Sequence, residues 1–421
     1  MNRKVKARIR QSMVFVHRWF GLLAGVWLFV LALTGTFLVF YEEVDHALNR
    51  DVFHRPVVGE RLPYEDLVRA AEASWPGSYA RFVDLPNEAH EPLIAYLGAL
   101  PDSGQKLPRR LNVLVDPYTA EVLVSRAPSA SKMDRRHIAR WIYQLHMNLH
   151  FGSFGTVLLG IVALFWVFDH LPSVWLSFPN LRQWYRSFLV KRNAKGLPQA
   201  YGLHRASGLW LLPVTLILAI SGVYFNLRPV FNGAVEIFSP ISPSVFRTLP
   251  RVDEPIYQGE ITIDEALATA TRVADGAEVD SLSFLPNNGL YWARVFDPRD
   301  LADYGQRYIY VSMVDGTVVG DHHRAEGTAA DTFVALQFPL HSGKIFGWAG
   351  RLIIALTGLV LCALVITGFT LWFRKRKGRR KARRSSREQT DGKTKPAMPL
   401  PKAARSRIDV RDGQPANQSS P

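Results

Sequence analysis

Four uncharged apolar stretches divide this chain: Trp19 to Tyr41, Phe151 to Phe168, Ala206 to Leu227 and Leu352 to Phe373. A bilayer core takes roughly 20 apolar helical residues to cross. Within lipid, only helices and closed barrels satisfy every backbone polar group internally, and runs this long select helices. The chain therefore reads as an α-helical membrane protein with four spans. The first run follows Arg3, Lys4, Lys6, Arg8 and Arg10, as a signal peptide's would. It is too long for a signal h-region and no small-x-small cleavage site follows. It reads as a retained anchor.

The formal net charge of +15 is unevenly placed. The N-terminus is basic, and the connector from Trp175 to Tyr201 carries Arg182, Arg186, Lys191, Arg192 and Lys195 without an acid. The stretch after Phe373 opens Arg-Lys-Arg-Lys-Gly-Arg-Arg-Lys, whereas the connectors from Glu42 and from Val230 mix acids with bases. Short cationic segments stay in the cytoplasm, which puts both termini inside and the two long connectors outside. A basic chain can also read as nucleic-acid binding, but here the charge flanks spans instead of forming a patch with aromatic partners. From Lys375 the tail cannot bury an apolar face and is expected to be disordered, a topology anchor drawn to anionic lipid. The single Cys362 excludes an internal disulfide, a Cys-rich iron–sulfur site and covalent Cys-x-x-Cys-His haem attachment. Any haem must be held by axial ligands and packing.

The chain reads as a tandem duplication. His17-Arg18-Trp19-Phe20-Gly21 opens the first run, with Thr34-Gly35 seventeen and eighteen residues after the histidine; His204-Arg205-Ala206-Ser207-Gly208 opens the third, with Ser221-Gly222 at the same offsets. Ionisable side chains at membrane depth are costly and mark function. Equal offsets put both histidines on the same helical face, so two copies across a pseudo-twofold axis would present them to one metal or haem iron. Arg18 and Arg205 beside them suit haem propionates or positive-inside anchoring. At the outer edge, His341 needs a partner from the second span, either His146 or His150. These two are four apart and share a helical face, so only one can oppose His341. Leu-His-x-Gly recurs at His150 and His341, and Leu-His followed nine residues later by glycine recurs at His146 and His341. The spacing leaves both open. His170 reads as a satisfied helix-end histidine or a third inner ligand, and His322-His323 as surface residues. Gly21-x-x-x-Gly25 suits close helix packing, and tryptophans near span ends suit interface anchoring.

Each outer connector holds a small α+β unit. Pro63 to Ala71 is a helix pattern, followed by strands at Leu111 to Val115 and Glu121 to Val124 around Asp-Pro. Thr262-Ile263-Asp264-Glu265 starts a second helix, and Tyr308 to Met313 leads through Asp-Gly into Val318-Val319. Both dipeptides are hairpin signals.

At His17-Arg18 with Thr34-Gly35, Leu145-His146-Met147-Asn148-Leu149, His204-Arg205 with Gly208-Leu209-Trp210, and Phe338-Pro339-Leu340-His341-Ser342-Gly343-Lys344, the chain resembles the PepSY-associated transmembrane helix family. More narrowly, it resembles that family's bacterial inner-membrane siderophore-iron reductases. The resemblance runs from His17 to Phe373. It implies a four-helix bundle with small α+β PepSY-like periplasmic lobes: a basic cytoplasmic N-terminus (1–16), spans at 17–41, 146–174, 204–227 and 341–373, lobes at 42–145 and 228–340, a basic cytoplasmic loop (175–203) and the tail (374–421). It further implies two b-type haems, one on His17 and His204 and one on His341 with His146 or His150. The family's Leu-His-x-x-Leu motif falls on His146, which favours that residue. The implied partners are a ferric siderophore or other ferric chelate and a cytoplasmic or quinol electron donor, for which no FAD or nicotinamide fingerprint is present. Two other readings are a non-enzymatic, protease-regulating PepSY module and a proton or metal transporter. The latter would call for acids within the spans, and the four apolar runs contain none.

Overall fold

The apolar runs form helices, though the first does so in two pieces. In a computed structural model, residues 3–393 are described apart from 109–110, 128–132, 192, 244, 246–247 and 302–304. Helices α1 (Arg3–Leu23) and α2 (Gly25–Leu38) meet at a 57° bend. Where one straight span was expected, the poor helix former Gly25 sits at the break, and a Cβ there would lie 3.1 Å from the Phe369 ring. The short helices α3 (Tyr41–Leu48) and α4 (Arg50–Phe53) lead into the first connector. That connector holds α5 (Tyr64–Ala73), β1 (Ser78–Asp84), β2 (Leu93–Ala99), β3 (Leu111–Val115), β4 (Val122–Arg126) and α6 (Ile138–Asn148). The long apolar helices α7 (Gly152–Ser177) and α8 (Leu197–Asn226) follow. The second connector holds α9 (Arg228–Glu236), α10 (Ile263–Val273), β5 (Val279–Leu285), β6 (Leu290–Val295), β7 (Arg307–Ser312), β8 (Val318–His323), α11 (Ala329–Ala335) and α12 (Gln337–Ser342). Helix α13 runs from Gly347 to Lys393. Among the described residues three helices are long and apolar enough to cross a membrane, and the bent pair meets the same test when its two pieces are taken together.

Residues 374–393 were expected to be disordered, yet they continue α13. Extending an existing helix avoids the costly nucleation step, and Arg, Lys, Gln and Glu are good helix formers. Residues 394–421 lie outside the described residues. Gly21 does not mediate close packing, since a Cβ there would meet nothing within 4 Å. The tight approach belongs to Gly358 in α13, where a Cβ would lie 2.8 Å from the Ala32 carbonyl of α2.

The two connectors were expected to form separate lobes. Instead they build one antiparallel sheet in the order β4-β3-β2-β1-β5-β6-β7-β8. The seam pairs Phe82 with Ser283, Val83 with Leu282 and Asp84 with Ser281. Helices α5 and α10 cover one face, burying Leu67, Ala71, Ala266 and Leu267 against Val83, Ala95, Leu282 and Ile309. Their N-termini also cap one another. The Tyr64 and Glu65 amides donate to the Asp264 carboxylate at 2.9 and 3.0 Å, and the Ile263 amide donates to Glu65 Oε2 at 3.0 Å. Helix N-termini expose unpaired amides that welcome carboxylates, and here each half supplies the other's. Pairing of identical edges joins the units because it leaves no open edge at the seam.

Candidate functional histidine pairs

At the end of the helices away from the sheet, His17 of α1 faces His204 of α8 with ring centroids 6.1 Å apart and planes inclined by 59°. His17 Nδ1 donates to Asp169 Oδ2 at 2.8 Å and lies 3.1 Å from Ser173 Oγ, both on α7. His204 Nδ1 donates to the Leu364 carbonyl and to Thr367 Oγ1 of α13, each at 3.1 Å. On the sheet side, His146 of α6 faces His341 of α12 with centroids 6.2 Å apart and planes at 73°. His146 Nδ1 pairs with Thr34 Oγ1 at 2.9 Å, and His341 Nδ1 with Ser221 Oγ at 2.7 Å.

These contacts decide the tautomers. Thr34 and Ser221 each commit their single hydroxyl proton to a carbonyl one turn back, Val30 and Ile217 respectively, both at 2.7 Å. Only their lone pairs remain for the imidazoles, so Nδ1 carries the proton and donates. Thr367 likewise donates to the Leu364 carbonyl at 2.9 Å, and Asp169 Oδ2 and the Leu364 carbonyl accept. In a neutral ring so held, Nε2 is the unprotonated nitrogen, the form that ligates a metal. Two imidazoles on one metal need centroids separated by about twice the sum of a metal–nitrogen bond (~2 Å) and the ring's own radius (~1.1 Å), or ~6.2 Å. Both pairs meet that spacing.

Each pair offers two donors, and among the described residues no group of three or more His, Cys, Asp or Glu side chains converges on a metal position. A bare zinc-like ion takes four ligands. Two opposed imidazoles suit a metal whose remaining ligands come from a planar macrocycle. Small residues leave room beside the rings. Gly21 and Gly208 lie one turn after His17 and His204, and a Cβ on Gly21 would meet nothing, on Gly208 only Leu364 at 3.8 Å. A Cβ on Gly35 would come 3.2 Å from the His146 ring, and one on Gly368 3.4 Å from the His204 ring.

The glycines nine residues after His146 and His341 make an elbow that presents those rings. A Cβ on Gly155 would run into the Asn148 carbonyl, and one on Gly350 into the Gly343 carbonyl. The following helix can start under the end of the histidine-bearing helix only without a side chain there. His150 lies in this elbow with φ of 60°, and its ring packs on Trp141 with centroids 4.8 Å apart, not on His341. Its Nε2 is buried without a hydrogen-bond partner among the described residues.

Arg205 donates to the carbonyls of Arg186, Ser187 and Leu189 and so ties down the basic connector. The Arg18 guanidinium lies 5.6 Å from the Phe15 and Trp19 ring centroids, with Nε buried and without a hydrogen-bond partner among the described residues. Both nitrogens of His170 are engaged, Nδ1 by the Trp166 carbonyl at 2.6 Å and Nε2 by Thr215 Oγ1 at 3.1 Å. That matches the satisfied helix-end reading. His323 is buried against Asp300 at 3.0 Å, contrary to a surface assignment. Sequence reasoning missed Asp169: it follows the second apolar run yet lies inside α7, buried against His17. Trp166 is half-buried and packs with Leu28 and Leu361.

A family model described as PepSY-associated TM region matches residues 14–375. No curated protein matches the chain.

Proposed function

The chain belongs to the PepSY-associated TM family, and on that basis we propose that it is a bacterial inner-membrane b-haem electron conduit reducing ferric chelates, such as ferric siderophores, on the periplasmic side. The observation that carries this reading is the repeated geometry: two facing imidazole pairs at 6.1 and 6.2 Å, every Nδ1 tied to an acceptor. Charge sets the orientation, with the basic N-terminus and connector on the cytoplasmic side and the sheet in the periplasm.

His17 with His204, and His146 with His341, would hold the two haems, which when bound supply one-electron chemistry. Thr34, Ser221, Thr367 and Asp169 hold the rings in orientation and tautomer. The apolar helices exclude water, and Ala24, Leu28, Ala32 and Val162 fill the core with Trp27 and Trp166. Residues 204 and 221 of α8, the first a ligand and the second the partner of one, lie roughly 25 Å apart along the helix. Two sites thus divide a distance too long for one transfer. A ferric chelate would meet the sheet-side pair, and reduction loosens hard oxygen ligands from iron. Because β1 and β5 close the seam between the connectors, the chelate cannot dock between two lobes.

Optical spectra of the purified protein, oxidised and then reduced, test the reading. A Soret shift and a sharp α-band on reduction are expected, and no spectral change would refute it. His204→Ala and His341→Ala should each remove one of the two haems. A second reading is favoured by Asp169, an acid within α7 hydrogen-bonded to His17: proton transfer through the helices. It calls for a protein without haem whose vesicles dissipate a pH gradient until Asp169 is replaced.

A further inference from the structure

Among the four facing histidines, only His17 donates to a carboxylate. The others donate to a hydroxyl or to a backbone carbonyl. Ser173 and Thr367 each place a hydroxyl 3.1 Å from a cytoplasmic-side histidine, but fourteen residues past the elbow glycine α7 carries Asp169 where α13 carries Leu364. The Asp169 side chain is 5% exposed, and among the described residues its Oδ1 has no hydrogen-bond partner and no Lys or Arg pairs with its carboxylate. At the sheet side, Glu42 and Glu43 are paired with Lys344 and Arg351 and touch neither ring.

We infer that Asp169 makes the His17–His204 site the lower in reduction potential of the two, so that an electron entering from the cytoplasm moves outward downhill. The inference rests on the haem reading above. A hydrogen bond to an ionised acceptor is roughly twice as strong as one between neutral groups. Pulled by a carboxylate, the imidazole becomes a more basic ligand, and a more basic ligand favours the oxidised, more positive iron. The negative charge acts in the same sense, with little solvent to screen it in the helix interior. Hydroxyl acceptors at His146 and His341 exert a weaker pull. Asp169 is thus a positioning residue that acts through His17, and it supplies direction to a pathway otherwise nearly symmetric.

The test is a spectroelectrochemical titration of the whole protein in nanodiscs, following the α-band. Wild type should show two waves. Asp169→Asn should move the lower wave upward towards the other and leave the upper wave in place, whereas Ser173→Ala, which keeps the carboxylate, should leave the waves well separated. If neither wave moves in Asp169→Asn, or only the upper one does, the inference is wrong. Should that variant lose a haem, Asp169→Glu is read instead: separate waves support the inference and merged waves overturn it. Absence of any haem band in the wild type is a different failure, that of the haem reading itself.

Discussion

Ser221→Ala isolates the support given to one ligand. Ser221 is fully buried, accepts from His341 Nδ1 at 2.7 Å, and sends its own proton to the Ile217 carbonyl. Removing the hydroxyl strands an imidazole N–H in an apolar interior, while the alanine fits the space without strain. An unsatisfied buried donor costs about 1–3 kcal/mol, which corresponds to roughly 5- to 150-fold weaker binding at the affected site. That range matches the ~10–100-fold loss seen when the outer partner of a metal-bound histidine is removed. The assay is titration of haem into haem-depleted protein, followed at the Soret band. Wild type should fill two sites tightly, and Ser221→Ala should fill one tightly and one weakly. The weak site should coincide with the one that His341→Ala abolishes. Ser221→Thr, which restores the residue type standing at position 34 in the first half, should bind as wild type. Equal affinity of both sites in Ser221→Ala, or weakening of the His17–His204 site instead, would refute the reasoning.

Other substitutions probe the ligands and the sheet. His150→Ala should retain both haems, while His146→Ala should lose the sheet-side one, as read from the pyridine haemochrome. Asp264→Ala uncaps α5 and should destabilise the sheet by about 1–2 kcal/mol, seen as a lower thermal midpoint, with Asp264→Asn closer to wild type. Burial pushes the Asp84 carboxyl up from 3.8 to about 6 despite the pull of Arg294. Its neutral form is the one the fold favours, so its contribution is complete below pH 4 and is lost as pH rises through 6. Thermal midpoints of the wild type should fall across this window, and Asp84→Asn should flatten that part of the profile.

Much of this was legible because membrane residence narrows the alternatives. Charge-free runs marked the long apolar helices, and matched offsets brought His17 to His204, since a helix converts equal spacing into equal facing. The nine-residue glycine spacing was visible at Gly155 and Gly350, but its cause was steric and appeared only with the carbonyls of Asn148 and Gly343 in place. The recurring Thr34 and Ser221 were noticed as markers of the duplication. Their role as acceptors depends on helices distant in sequence, so nothing local announces it. The β3–β4 and β7–β8 hairpins carried Asp-Pro and Asp-Gly turns, whereas β1 and β5 are joined by a pairing almost 200 residues apart. Asp169 lay one residue past an apolar run and was counted outside it, although a helix does not stop at a hydropathy boundary.

The shared seam and the exchanged caps of α5 and α10 describe what would, in two separate copies, be a homodimer interface. A true homodimer is bound by its symmetry: a carboxylate beside one histidine would stand beside the other as well, and both ends of its twofold would be chemically alike. Covalent joining of the copies lifts that constraint while retaining the interface that aligns them. Position 169 can then be aspartate while the residue equally far past the elbow glycine in the other half, Leu364, is apolar, and a scaffold of near-symmetric halves carries a charge at one end only.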